Sequence, residues 1–197
     1  MRNIFFPLAV AAGLIFVSAA MAQDAKPFEY AGVKTCKKCH RKVWKSWKET
    51  PMARSFEILK PGERAEIKKE AGLDPEKDYT RDTKCLPCHT TGYGKPGGFV
   101  SLEKTPTMIG VGCEACHGAG KEYNKVMKKH GRTYTEEEVQ QCGLKADPRS
   151  TCTECHNEKS PTRKLRDPFD AQLHDWPAHD PVKLKYHTPE YQVNKRH

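Results

Sequence analysis

Four short motifs contain most of the residues in this sequence that could do chemistry. Eight of the nine cysteines form pairs separated by two residues, and a histidine directly follows each pair. The motifs are CKKCH (Cys36, Cys39, His40), CLPCH (Cys85, Cys88, His89), CEACH (Cys113, Cys116, His117) and CTECH (Cys152, Cys155, His156). This pattern is the attachment signature of c-type haem.

The spacing of the motif residues explains the chemistry of that attachment. Two cysteines three positions apart lie on one side of a helical turn, where their thiols can form thioethers with the two vinyl groups of one porphyrin. The histidine lies on the same side, and its imidazole can bind the iron. Zinc sites, redox thiols and disulfide frameworks also use paired cysteines, but none of them requires a histidine after every pair. The motifs predict four covalently bound haem c groups.

The composition is that of a chain whose interior is filled by something other than aliphatic side chains. Hydrophobic residues make up 37% and charged residues 30% of the 197 residues, which is polar for a globular domain. Four haems would leave about 44 residues of the mature chain for each haem, too few to wrap every cofactor separately. We therefore expect the haems to touch one another and to form much of the core.

The N-terminal segment has the features of a secretory signal peptide. Arg2 is followed by an uncharged apolar run from Ile4 to Ala20. The sequence Ala20-Met21-Ala22 fits a small-x-small cleavage site. We expect residues 1–22 to be removed after Ala22 and residues 23–197 to form one periplasmic domain. A retained membrane anchor is the alternative, but the apolar run is short for a span.

The formal net charge of +9 would by itself suggest nucleic acid as a partner. The propionate groups of four haems would cancel most of this charge, so we expect no nucleic-acid binding. A remaining lysine-rich surface would either steer docking onto an acidic redox partner or simply be solvated.

Secondary structure is expected to be helical, with long turn-rich connections and no internal repeat. Residues 92–98, GYGKPGG, predict a loop. The ninth cysteine, Cys142, has no partner in a motif and is interpreted as a free thiol. The predicted helices cover residues 36–49, 62–71 and 121–130, followed by a short helix that Thr135 and Glu138 cap and that ends at Gly143.

Several segments resemble the cytochrome c-554 family of tetrahaem electron carriers. They are KTCKKCH, WKETPMARSFEILKPG, AGLDPEKDYT, GYGKPGG and GVGCEACHGAG, which together cover about half of the mature chain. The resemblance implies a mainly α fold with extensive loops, little or no sheet, and stacked haem pairs. The C-terminal third matches weakly, apart from HDPVKLK.

The sixth ligand of each iron decides whether a haem is closed or open. The candidates outside the motifs are His130, His174, His179, His187, His197, Met52, Met108 and Met127. The resemblance implies that the second haem, on His89, is open, that His179 binds the first haem and that His130 binds the fourth. Where the family has the distal histidine of the third haem, this chain has Met52. Met52 is expected to bind that iron, and the alternatives are His174, His187 or an open site.

These observations favour an electron carrier that acts between a redox donor and a redox acceptor, as a monomer or weak oligomer without catalytic residues. The first alternative is an enzyme that converts nitric oxide, nitrite or hydroxylamine at an open five-coordinate haem on His89. The second is a subunit of a haem assembly, in which His187 or His197 binds the iron of a neighbour.

Overall fold

Short α-helices joined by turns and loops form the whole described fold. The computed structural model describes residues 26–131 and 133–162, without the side chains of residues 148 and 149. Its helices are α1 (Val33–Lys37), α2 (Arg41–Lys48), α3 (Ala65–Glu70), α4 (Leu86–His89), α5 (Cys113–His117), α6 (Lys121–His130), α7 (Glu136–Gln140) and α8 (Cys152–Cys155). Shorter 3₁₀ turns lie at Glu57–Leu59, Pro106–Met108 and Pro148–Thr151. The predicted signal peptide, residues 1–22, lies outside the described residues.

Extended structure in the described ranges is limited to one antiparallel bridge, between Thr90 and Ile109. The fold is therefore mainly α with extensive loops and little sheet, which confirms the predicted class. No helix within these ranges combines the length and apolar character that crossing a bilayer would require.

The prediction of one continuous helix over residues 36–49 is wrong. The chain forms two helices, α1 and α2, and His40 between them has non-helical backbone angles (φ −105°, ψ 46°). One continuous helix would stack Lys37, Arg41 and Lys45 four residues apart on one face, and like charges at that spacing destabilise a helix. The break at His40 interrupts this column, and α2 then starts with a hydrogen bond from the Trp44 amide to the His40 carbonyl (2.8 Å).

The other predicted helices are present. Helix α6 matches the prediction for residues 121–130, and α3 lies within residues 62–71. Helix α7 has the predicted capping box, because the Thr135 hydroxyl accepts from the Glu138 amide and the Glu138 carboxylate accepts from the Thr135 amide. It ends at Gln140, earlier than the predicted end at Gly143, and the chain continues as a turn.

The main cluster of buried apolar side chains surrounds the second motif. Its members are Phe56, Leu59, Tyr79, Leu86, Phe99 and Met108. The rings of Phe56 and Phe99 lie 5.7 Å apart between centroids. Leu86 belongs to the motif CLPCH itself, so this motif is anchored directly in the polypeptide core. Met108, a candidate iron ligand from the sequence, is 4% exposed inside this cluster, where it acts as a packing residue.

Candidate haem-attachment sites

Each motif lies on a short helical turn, as its spacing predicts. In the first motif the His40 amide donates to the Cys36 carbonyl (2.9 Å), and in the fourth the His156 amide donates to the Cys152 carbonyl (2.9 Å). Helix α5 contains the whole third motif, and α4 begins one residue after Cys85. The backbone therefore places both cysteines and the histidine of a motif on one turn.

The four motifs come together in two pairs. The Cys36 thiol of the first motif lies beside the Cys113 thiol of the third, and helices α1 and α5 are in contact. The Cys88 thiol of the second motif lies beside the Cys155 thiol of the fourth, and α4 contacts α8. All nine cysteines lie in the described ranges, and none forms a disulfide.

These contacts change the acidity of the thiols. The hydrogen bond from Cys113 lowers the pKa of the Cys36 thiol, and the bond from Cys155 lowers the pKa of Cys88 to about 7. The pKa values of Cys113 and Cys155 are raised, first by the same hydrogen bonds and then by burial.

The imidazole of His89 is held in one orientation by the backbone of a distant turn. Its Nδ1 lies 2.7 Å from the carbonyl oxygen of Ser55. A carbonyl only accepts hydrogen bonds, so Nδ1 carries the proton and Nε2 keeps its lone pair for a metal. Burial lowers the pKa of His89, and the hydrogen bond to Ser55 opposes this shift. The second motif therefore has a preset neutral tautomer, which the sequence did not reveal.

Met52 lies on the same turn as Ser55 and close to the start of the third motif. The Met52 carbonyl accepts from the Val111 amide (2.9 Å), two residues before Cys113. The Ser55 hydroxyl also accepts from the Val111 amide (3.2 Å), and the Trp47 indole donates to the Val111 carbonyl (2.9 Å). The backbone thus places Met52 beside the third motif, and its side chain is half-buried. Ligation of iron by Met52 stays a prediction.

Glu114, inside the third motif, has a structural role in the site that sequence reasoning missed. The side chain is 0% exposed. Its Oε1 accepts from the amides of Ala31 (2.8 Å) and Gly120 (2.6 Å), and its Oε2 accepts from the Gly32 amide (2.7 Å). The carboxylate therefore ties the segment before α1 to α5 and to the start of α6, and so links the first and third motifs.

Two buried side-chain donors, one on α2 and one on α6, are available to a group with carboxylate arms such as haem. The Trp44 indole nitrogen and the Asn124 amide nitrogen are buried and have no hydrogen-bond partner within the described ranges. Buried donors are normally satisfied, and a haem propionate is a suitable acceptor. The ammonium groups of Lys37 and Lys48 lie 4.2 and 5.1 Å from the centroid of the Trp44 ring, so positive charge is also present there.

A cavity of about 290 Å³ lies beside the first motif. Its lining is mostly apolar and includes Val33, Trp44, Trp47 and Ile109. Val33 and Trp44 flank the first motif in the sequence, and an apolar wall there suits a porphyrin. No group of three His, Cys, Asp or Glu side chains in the described ranges is arranged to hold a bare metal ion.

The remaining predicted ligands are either exposed or outside the described residues. His130 is the last residue of α6, which packs against α7, and its side chain is exposed. Ligation of the fourth haem by His130 stays a prediction. His174, His179, His187 and His197 lie outside the described residues. Cys142 is half-buried and forms no disulfide with another described cysteine.

Comparison with known proteins agrees with this arrangement. Residues 35–118 match the model of a family described as cytochrome c554 and c-prime. Cytochrome c-554 from Nitrosomonas europaea is 36% identical over 171 residues, which cover 81% of this chain and 72% of that protein. A solved structure of the reduced state of cytochrome c554 from the same organism aligns with a TM-score of 0.61 at 32% identity, over 86% of this chain and 83% of the other.

Proposed function

We propose that this chain, which belongs to the cytochrome c-554 family, carries four haems and passes electrons between redox partners in the periplasm. As a member of this family it is a c-type cytochrome, which binds haem c covalently and carries electrons. Bound haem supplies an iron that gains and loses one electron reversibly. The chain supplies attachment, axial ligands and a controlled environment.

The pairing of the motifs is the observation that carries this proposal. The contacts between Cys36 and Cys113 and between Cys88 and Cys155 bring attachment points from distant parts of the sequence next to each other. Groups attached at neighbouring points are held close together, as electron transfer within one protein requires. This supports four sites in two pairs, in agreement with the stacked pairs that the family resemblance implies.

The axial ligands of the proposed sites come from both halves of the chain. His40, His89, His117 and His156 are the proximal ligands. His179 is the proposed distal ligand of the first site and His130 that of the fourth. The open side of the second site is opposite His89, whose tautomer the Ser55 carbonyl fixes. Met52 is the proposed distal ligand of the third site, because its backbone is bonded to Val111 next to that motif.

A thioether ligand at the third site has a consequence for the order in which electrons fill the protein. Methionine raises the reduction potential of a haem relative to a second histidine. The third site would then hold an electron more firmly than the bis-histidine sites. The location in the periplasm rests on residues 1–22, whose charged start, apolar run and Ala-x-Ala end are typical of an exported protein.

Two measurements on the matured protein test the proposal. Its mass should exceed that of residues 23–197 by four haems, and a smaller excess would refute the count. Electron paramagnetic resonance of the oxidised protein should show three low-spin haems and one high-spin haem. Rapid turnover of nitric oxide, nitrite or hydroxylamine at the high-spin haem, without electron exchange with proteins, would show that the protein is an enzyme and would refute the proposed carrier function.

A further inference from the structure

The segment that holds the first motif carries an unusual concentration of positive charge. Between positions 34 and 48 there is no acidic residue. The basic residues of this segment, all with exposed side chains, are Lys34, Lys37, Lys38, Arg41, Lys42, Lys45 and Lys48. We refer to these seven residues as the basic face. They belong to α1, to α2 and to the turn between the two helices.

Elsewhere in the described ranges, seven lysines and arginines form ion pairs with carboxylates. Ion pairs join Lys26 and Lys121 to Glu29, and Lys145 to Glu154. Similar pairs are made elsewhere by Lys60, Lys77, Arg81 and Lys125. Within the described ranges, no member of the basic face has a carboxylate within ion-pairing distance. Its charge therefore remains available to a partner.

Haem attachment would neutralise only part of this charge. One haem carries two propionates, so it would pair with at most two of the seven basic residues. Lys37 and Lys48, whose ammonium groups lie over the Trp44 ring, are the candidates for these two pairs. Five basic residues would remain without a counterion. Cys39 and His40, between them in sequence, are exposed, so the first attachment site lies within the same surface.

We propose that the basic face is the docking site for an acidic redox protein, which exchanges electrons with this chain through the haem of the first motif. The proposal rests on the electron-carrier function and adds the chemistry and location of the partner. Concentrated unpaired charge steers an oppositely charged protein and raises its rate of association. Here that charge surrounds an attachment site, so steering would deliver the partner directly to a redox centre.

The test compares two triple variants of the holoprotein that lose the same charge at different places. The first is Lys38→Gln, Lys42→Gln and Lys45→Gln, which leaves the lysines at the Trp44 ring intact. The control is Lys104→Gln, Lys128→Gln and Lys129→Gln, three exposed lysines outside the basic face. Reduced flavodoxin, an acidic one-electron protein donor, is mixed with each protein in a stopped-flow instrument over a range of salt concentrations.

The basic-face variant should react about tenfold more slowly than the wild type at low ionic strength, with a flatter salt dependence. The control variant should change by less than about twofold. Both should keep the wild-type haem content, reduction potentials and rate of reduction by dithionite, because the changed side chains are exposed and dithionite needs no protein docking surface.

Equal slowing by both variants would show that only net charge matters and would overturn the proposal, as would no slowing by either. Shifted reduction potentials in the basic-face variant alone would assign these lysines to the haem instead. Charge-dependent binding of the wild type to phosphatidylserine vesicles, with unchanged flavodoxin rates in the variant, would assign the face to membranes. In these cases electron transfer itself stands. A wild type that accepts electrons from dithionite but not from flavodoxin would refute the carrier function as well.

Discussion

Replacement of Glu114 by glutamine should destabilise the holoprotein by about 2–3 kcal/mol, although the side chain keeps its size. The carboxylate is fully buried and accepts three backbone hydrogen bonds, from Ala31, Gly32 and Gly120. An amide has one acceptor oxygen, which can keep the bonds to Ala31 and Gly120. Its NH₂ group would then face the Gly32 amide, so one charge-assisted bond is lost and two buried donors point at each other.

The same chain offers a matched control for this change. Glu154 is a glutamate in the fourth motif, but its side chain is 66% exposed and forms a surface ion pair with Lys145. Exposed ion pairs contribute about 1 kcal/mol or less, so Glu154→Gln should be nearly neutral. Both substitutions remove one negative charge from a motif, so their difference isolates the buried hydrogen bonds of Glu114.

The assay is unfolding of the matured holoprotein in guanidinium chloride, followed by far-ultraviolet circular dichroism and by haem absorbance. Glu114→Gln should lower the denaturation midpoint, and in thermal unfolding should lower the melting temperature by roughly 5–10 °C. Haem content must equal that of the wild type for the comparison to hold. If Glu114→Gln and Glu154→Gln unfold together, the link that we assign to Glu114 between the first and third motifs is refuted.

Two further substitutions test the loop and the third site. Gly98→Ala should lower the free energy of unfolding by more than about 2 kcal/mol, because an added Cβ would overlap the backbone carbonyl of Gly92. Gly94→Ala is the control: it has open space but φ +70°, and should cost only about 1 kcal/mol. Equal losses of stability in chemical denaturation would contradict this prediction. Met52→Leu should abolish the near-infrared band of a thioether–iron bond in the oxidised protein and lower one reduction potential, and a wild type without that band would show that Met52 only packs.

Local patterns in the sequence were sufficient to predict the attachment motifs and most helices. A Cys-x-x-Cys-His unit needs only one helical turn, so its geometry follows from spacing alone, as the bond from the His40 amide to the Cys36 carbonyl shows. Helix α6 and the capping box of α7 are equally local. The break between α1 and α2 was missed, because the pattern of apolar residues does not report the repulsion between the stacked side chains of Lys37, Arg41 and Lys45.

Contacts between distant segments could not be predicted in the same way. Nothing in the sequence separates the buried Glu114 from the exposed Glu154, since both are glutamates within a motif. The Ser55 carbonyl that orients His89 belongs to the backbone, so the identity of residue 55 carries no signal for it. The pairing of Cys36 with Cys113, 77 positions apart, likewise depends on the folded chain.

The distribution of buried residues explains why so polar a chain has a defined fold. The main apolar cluster, around Phe56 and Leu86, supports the second motif. The first and third motifs are held instead by polar links, through Glu114 and the contact between Cys36 and Cys113. Such links fix the positions of the motifs but bury little apolar surface. Burial of apolar surface is the main driving force of folding. Porphyrins attached at the proposed sites would supply the apolar surface that the side chains lack, so the redox centres would also be core material.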